Sequence, residues 1–123
     1  MSDRAANQVV WFDIPVTDLD RAIRFYTAVL GSPVTRHDFP GGALGVLAHG
    51  GDSVGGCLVM GGKPGGDGPL IYLNASGRLD QAVAAVTEHG GTVLEPRRSI
   101  APHGWRALVR DSEGNRVALH SPD

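Results

Sequence analysis

The chain has 123 residues, of which 41% are hydrophobic and 20% are charged, and its formal net charge is −2; this is typical of one globular domain. With 11 basic and 13 acidic residues it has no basic stripe for nucleic acid, and its apolar runs fall far short of the roughly 18 residues of a membrane span. Cys57 is the only cysteine and residues 1–8 lack the apolar core of a signal peptide, so we expect a cytoplasmic protein without disulfides.

The first half of the sequence predicts a strand, a helix and three further strands. Residues 9–16 alternate with the period of two that is typical of a β-strand. Asp18 is a helix-capping residue, and the apolar residues that follow recur at helical spacing from Leu19 to Leu30. Gly31 ends this helix as a left-handed residue, and Pro33 prevents it from resuming. The three further strands are predicted at 34–37, 43–49 and 54–60.

The second half repeats this order of elements. Residues 70–74 alternate as a strand, and residues 78–89 have the helical period and end at Gly90 and Gly91. Three more strands are predicted at 92–95, 105–110 and 116–120. The last two are joined by a turn in which Gly114 and Asn115 are suited to positive φ.

A βαβββ unit used twice is the simplest organisation of this pattern. We predict a single domain over residues 1–123, with module one at about 8–60 and module two at about 70–121. The glycine-rich residues 61–69 are interpreted as a flexible linker, because they lack the Gly-Lys-Ser/Thr ending and the following helix of a phosphate-binding loop.

Two segments resemble the glyoxalase/bleomycin-resistance/extradiol dioxygenase superfamily, also called the vicinal oxygen chelate (VOC) superfamily. Residues 14–31 combine a strand, an Asp-Leu helix start, and then Phe-Tyr and Leu-Gly pairs. Residues 111–120 are similar to the Asp-Pro-Asp/Glu-Gly-Asn turn before the last strand of the family. The resemblance implies an α+β fold, in which two βαβββ modules form a curved, partly open, barrel-like mixed sheet around a central cavity. A second subunit often completes that cavity, so we expect a homodimer.

The resemblance also tells where a metal site would lie. Metal-dependent members hold Zn, Ni, Fe or Mn with His and Glu ligands from the first and fourth strands of each module. At three of these positions the sequence has Trp11, Leu70 and Ala118, which do not bind such cations, and residues 53–62 contain no His, Asp or Glu. We therefore expect the usual divalent metal site to be absent, with no other cofactor in its place.

Strand alternation predicts which side chains would line the cavity. Trp11 and Asp13 share one face of the first strand, and the partner of the Asp13 carboxylate is expected to be Arg106, Arg116 or a cationic ligand group. The expected ligand-binding residues are Trp11, Asp13, Leu70, Tyr72, Asn74, His103, Ala118 and His120. Trp11 is equally consistent with filling the space of the missing metal, and Tyr72 with cross-strand packing.

The missing metal ligands favour a protein that binds a small molecule, as the bleomycin-resistance binders do, rather than one that resembles glyoxalase I. One alternative is a lyase or dioxygenase, either with a relocated metal site or with Asp13 or His120 as a metal-free general base. A scaffold with a filled pocket is the third class. The sequence does not identify the ligand, and it predicts neither nucleic acid nor membrane as a partner.

Overall fold

The computed structural model describes residues 8–123, so what was inferred for residues 1–7 lies outside the described residues. The order strand, helix and three strands occurs twice in this range, as the sequence predicted. The elements are β1 Trp11–Val16, α1 Leu19–Leu30, β2 Thr35–Phe39, β3 Gly42–Val46, β4 Gly55–Met60, β5 Ile71–Asn74, α2 Leu79–Glu88, β6 Thr92–Ser99, β7 Trp105–Arg110 and β8 Arg116–Ser121. Neither of these two helices is long and apolar enough to cross a membrane.

The strands form two four-stranded mixed sheets, ordered β1-β4-β3-β2 and β5-β8-β7-β6. In each sheet the first strand of the module pairs in parallel with the last one, and the remaining pairs are antiparallel. Neither sheet closes on itself. This confirms the predicted α+β fold of two βαβββ modules with open sheets.

Local sequence signals start and end α1. The Asp18 carboxylate accepts a hydrogen bond from the Arg21 N–H at 3.1 Å, so it caps the helix as predicted. Gly31 has a φ of 68° and donates its N–H to the Thr27 carbonyl at 3.0 Å. The helix runs from Leu19 to Leu30, so its predicted bounds are confirmed. Both signals lie next to the helix in the chain, which is why the sequence could predict these bounds.

The second module supplies a charge at each end of α1. The Glu113 carboxylate accepts hydrogen bonds from the N–H groups of Thr17 and Asp18, both at 2.9 Å. At the other end, Arg78 donates a hydrogen bond to the Val29 carbonyl. A negative charge at the N-terminus and a positive charge at the C-terminus are the arrangement that stabilises a helix. The two modules are therefore joined through the ends of this helix.

The core lies between the two helices and one face of each sheet. Ile14 and Val16 of β1 are buried, as are Phe25 and Tyr26 of α1. The helices pack on this face in both modules. Trp11 belongs to the opposite set of β1 residues and is 42% exposed. We call this second side of each sheet the open face, because neither described helix covers it.

Several boundaries differ from the prediction. β3 ends at Val46, and β6 continues to Ser99 because two irregularities in register keep it paired with β7 beyond Pro96. Pro96 is compatible with this position because β6 is an edge strand and proline has no N–H to donate. In the turn before β8, Gly114 adopts the positive φ for which Gly114 and Asn115 were both suited.

Candidate functional site

The open face of the first sheet carries two of the predicted ligand-binding residues, Trp11 and Asp13. On the neighbouring strand they lie opposite Gly55 and Cys57. The Trp11 ring meets the His49 ring edge-on, with centroids 5.4 Å apart and planes at 83°. A Cβ atom at position 55 would lie 2.7 Å from His49 Cγ and 3.0 Å from the Trp11 ring. Glycine at this position therefore leaves room for the ring pair.

The Asp13 carboxylate has a partner that the sequence did not indicate. The Cys57 thiol donates a hydrogen bond to Asp13 Oδ1 at 3.1 Å. Arg106 contacts Tyr72 and Glu95 instead, so it is not the partner of Asp13. Burial raises the pKa of the Cys57 thiol, and the hydrogen bond with Asp13 raises it further. A protonated thiol is a weak nucleophile, and in this structure the thiol acts as the hydrogen-bond donor to the carboxylate.

On the open face of the second sheet, Tyr72 takes part in a polar chain. Arg106 Nη1 donates to the Tyr72 hydroxyl at 2.6 Å, and Arg106 Nη2 donates to Glu95 Oε1 at 3.3 Å. Tyr72 remains 47% exposed, so its ring is available to a ligand. Ala118 is the β8 partner of Tyr72 and has no exposed surface, so it offers nothing to a ligand in this arrangement.

The two predicted histidines contact each other through a backbone group. His120 Nε2 lies 2.6 Å from the His103 carbonyl oxygen. Because a carbonyl oxygen only accepts, Nε2 is the donor in this contact. This bond attaches the loop between β6 and β7 to the end of β8. Asn74, opposite His120 on β5, uses its amide oxygen to accept the N–H of Ser76 at 2.8 Å.

The predicted ligand-binding residues are distributed over three recesses, and some of them line none. A recess of about 490 Å³ between β1, the linker and the start of β8 is lined by Asp13. A second, of about 560 Å³, is lined by Leu70 and Tyr72, and a third, of about 310 Å³, by Tyr72 and Asn74. The predicted residues that line none of these three are Trp11, His103, Ala118 and His120. The structure therefore gathers the predicted site only in part.

The first of these cavities, which we call the β1–β8 recess, has a wall that the sequence did not indicate. The linker forms one of its walls, because the Gly65 N–H donates to Asn115 Oδ1 at 3.1 Å. Lys63 and Arg116 are the basic residues in the lining. No local pattern could reveal this wall, since it depends on contact between residues 50 positions apart. The family-like turn that contains Asn115 was the only available signal.

Two of the positions at which metal-dependent superfamily members are expected to hold their ion carry side chains without a ligand atom. Within residues 8–123 there is no group of three or more His, Cys, Asp or Glu side chains that could hold a metal ion. Trp11, at one expected ligand position, packs on His49, and Ala118, at another, is fully buried. Neither an indole nor a methyl group donates electrons to a divalent cation.

The fold and the open sheet faces define the class to which this chain belongs. The family model of the Glyoxalase/Bleomycin resistance protein/Dioxygenase superfamily matches residues 8–119. The chain is a member of this superfamily, as its two sequence segments predicted.

Relatives and solved structures agree with this assignment. The chain is 30% identical over 114 residues to "Putative glyoxylase CFP32" of Mycobacterium bovis and of Mycobacterium tuberculosis. The match covers 89% of this chain but 43% of those relatives, so the chain spans less than half of their length. A glyoxalase/bleomycin resistance protein from Albidiferax ferrireducens has a TM-score of 0.71 at 20% identity, over 94% of this chain and 98% of that one. TnmS3, an antibiotic-binding protein from Streptomyces, has a TM-score of 0.67 at 25% identity, over 97% and 98%.

Proposed function

We propose that this chain binds a small molecule in the β1–β8 recess, without the divalent metal of other superfamily members. The volume of about 490 Å³ falls within the range of small-molecule sites. Ile71, Pro64 and Pro69 contribute apolar surface, while Asp13 and Arg116 contribute polar groups that can orient a ligand. This combination of an apolar wall with opposite charges in one recess is the observation that carries the proposal.

The similarity to TnmS3 supports binding as the function, because that protein is described as antibiotic-binding and covers nearly the whole of this chain. Catalysis is the alternative, and two observations favour it. The curated relatives are named as glyoxylases, and the His120 ring, a candidate general base, lies 6.4 Å from the Tyr72 ring on the open face. Chromatography with mass spectrometry of a bound compound after incubation distinguishes the two. Binding returns the compound unchanged in retention and mass, whereas a catalyst converts it to a product, isomers included, and loses activity as His120→Gln.

A second copy of the chain is proposed to cover the open faces. Trp11, Phe39 and Tyr72 lie on these faces and are between 42% and 49% exposed. Exposed aromatic side chains on uncovered sheets are typical of interaction surfaces, and a closed two-fold dimer would bury them twice. Light scattering tests this: a homodimer is expected, with dissociation in Phe39→Ser, and a monomer at high protein concentration would contradict it.

A ligand screen on chelator-treated protein tests the binding proposal. Compounds from a small-molecule library should raise the melting temperature in a saturable way without added metal. Asp13→Asn should weaken the binding of a hit that contacts this carboxylate by about tenfold, the effect of a lost charge-assisted hydrogen bond. Asp80→Asn is the matched control, because Asp80 lies on α2 and pairs with Arg97. The proposal fails if no compound stabilises the protein, or if both variants affect every hit equally.

A further inference from the structure

Two arginines face each other on the open face of the second sheet. Arg110 of β7 and Arg116 of β8 are direct partners across the strands. Like charges in this position repel each other. Neither arginine forms an ion pair with a carboxylate in the part of the chain that the structure describes. An anion between or beside them would remove this repulsion.

The Arg116 guanidinium also has an unused donor. Its Nε atom is buried, and within residues 8–123 it has no hydrogen-bond partner. A buried donor without an acceptor costs free energy, so an incoming oxygen atom would be bound favourably there. Arg116 lines the β1–β8 recess, which makes this recess the route by which a ligand would approach the guanidinium.

Further positive charge lies close by. Lys63 lines the same recess and forms no ion pair with another described residue. Arg110 lies against the linker, where a Cβ atom on Gly66 would be 3.1 Å from its Nη1. The carboxylates of the recess are those of Asp13 on β1, which accepts the Cys57 thiol hydrogen, and of Asp67, on the same linker as Lys63. Arg116 is therefore the charged residue that β8 contributes to the recess, and Arg110 lies beside it on β7.

From these contacts, and resting on the proposed function, we infer that Arg116, Arg110 and Lys63 form a subsite for an anionic group of the ligand. Arginine suits a carboxylate or a phosphate because its planar guanidinium donates two parallel hydrogen bonds to their oxygens. The ligand class is thus a small molecule that combines an apolar body with a carboxylate or phosphate. Binding to this partly exposed subsite weakens as ionic strength rises.

The test follows the Nε–Hε signals of the arginines by NMR during titration with benzoate, benzamide or inorganic phosphate. Benzoate and benzamide share a ring and differ in charge, while phosphate distinguishes a phosphate site from a carboxylate site. The Arg116 signal should shift saturably with benzoate or phosphate, and benzamide should bind at least about tenfold more weakly. Arg24 of α1, which is exposed, serves as the reference for non-specific shifts.

Arg116→Gln and Arg110→Gln should each remove the preference for the anion, whereas Arg24→Gln should keep it. Circular dichroism tests whether each variant is folded. Because the two variants are independent, the test remains valid if one of them does not fold. The subsite is overturned if the Arg116 signal moves no more than that of Arg24, or if folded Arg116→Gln and Arg110→Gln retain the preference. If the protein binds a neutral hit from the ligand screen but the Arg116 Nε–Hε signal does not shift with the anions, the subsite is rejected and the proposed function stands.

Discussion

The Glu113 carboxylate forms a bidentate ion pair with Arg21, which lies 92 positions away in the sequence. The Arg21 Nε atom lies 2.7 Å from one carboxylate oxygen, and Nη2 lies 2.9 Å from the other. The Glu113 side chain has no exposed surface, and it also accepts the N–H groups of Thr17 and Asp18. One buried carboxylate therefore fastens the turn before β8 to the first turn of α1.

Replacing this carboxylate should weaken the attachment of the modules. Glu113→Gln keeps the shape of the side chain but removes the charge that six donor groups share. We expect the free energy of unfolding in urea to fall by about 2 kcal/mol, because hydrogen bonds to charged groups are the stronger class. Asp80→Asn, which removes an exposed ion pair with Arg97, should cost less than about 0.5 kcal/mol. Equal losses in the two variants would show that Glu113 does not hold the modules together.

The same carboxylate makes stability depend on pH. Burial alone would raise the pKa of Glu113, but hydrogen bonds from Arg21, Asp18 and Thr17 lower it from 4.5 to about 2. Because the folded state then binds the proton less readily than the unfolded state, the stabilisation is complete above pH 4.5 and is lost as pH falls towards 2. Urea unfolding across this window should show a steeper loss for the wild type than for Glu113→Gln. Parallel pH profiles would contradict the ion-pair account.

Removing the hydroxyl of a buried tyrosine should lower the free energy of unfolding more than removing that of an exposed one. The Tyr26 hydroxyl donates a hydrogen bond to the buried Asp111 carboxylate, and burial together with this negative charge raises the pKa of Tyr26 well above its usual value. Tyr26→Phe leaves the carboxylate short of a donor, so we expect a loss of about 1–3 kcal/mol in the free energy of unfolding. Tyr72→Phe removes a hydroxyl that only accepts a hydrogen bond at the surface, and it should cost less. The interpretation fails if the two costs are the same.

The glycine beneath the ring pair of the open face gives a further prediction. Gly55→Ala would place Cβ 2.7 Å from His49 Cγ, so the ring must move. We expect a loss of about 1–3 kcal/mol, as in other overpacked sites, and a changed fluorescence of Trp11 in a Trp105→Phe background. Gly51→Ala is the control, because its Cβ would meet nothing within 4 Å and its φ is not positive. Unchanged Trp11 emission in Gly55→Ala would mean that the ring pair does not exist in solution.

The sequence predicted well whatever neighbouring residues determine. The bounds of α1 follow from Asp18 and Gly31, which act on the helix directly. Alternation along β1 correctly separated Trp11 and Asp13 from Ile14, because the period of two is a property of the strand itself. The superfamily was identified in the same way, from the order of local signals.

Contacts between the modules could not be predicted in this way. Glu113 was seen only as part of a turn, although its partners Thr17, Asp18 and Arg21 lie in the other half of the chain. Alternation shows which face a side chain occupies, but not which recess it reaches. It therefore did not predict that Asp13 and Tyr72 line different recesses. The linker wall of the β1–β8 recess was missed for the same reason, because a glycine-rich composition indicates flexibility and says nothing about docking.

Metal content tests the central claim most directly, since the claim is that this chain binds a small molecule without the superfamily's divalent metal. The protein should be purified without chelator or affinity tag, offered Zn, Ni, Fe and Mn in turn, desalted, and subjected to elemental analysis. Trp11, Leu70 and Ala118 at the expected ligand positions predict retention far below one ion per chain for every metal. About one tightly held ion per chain would contradict the account and direct attention to a metal-dependent enzyme.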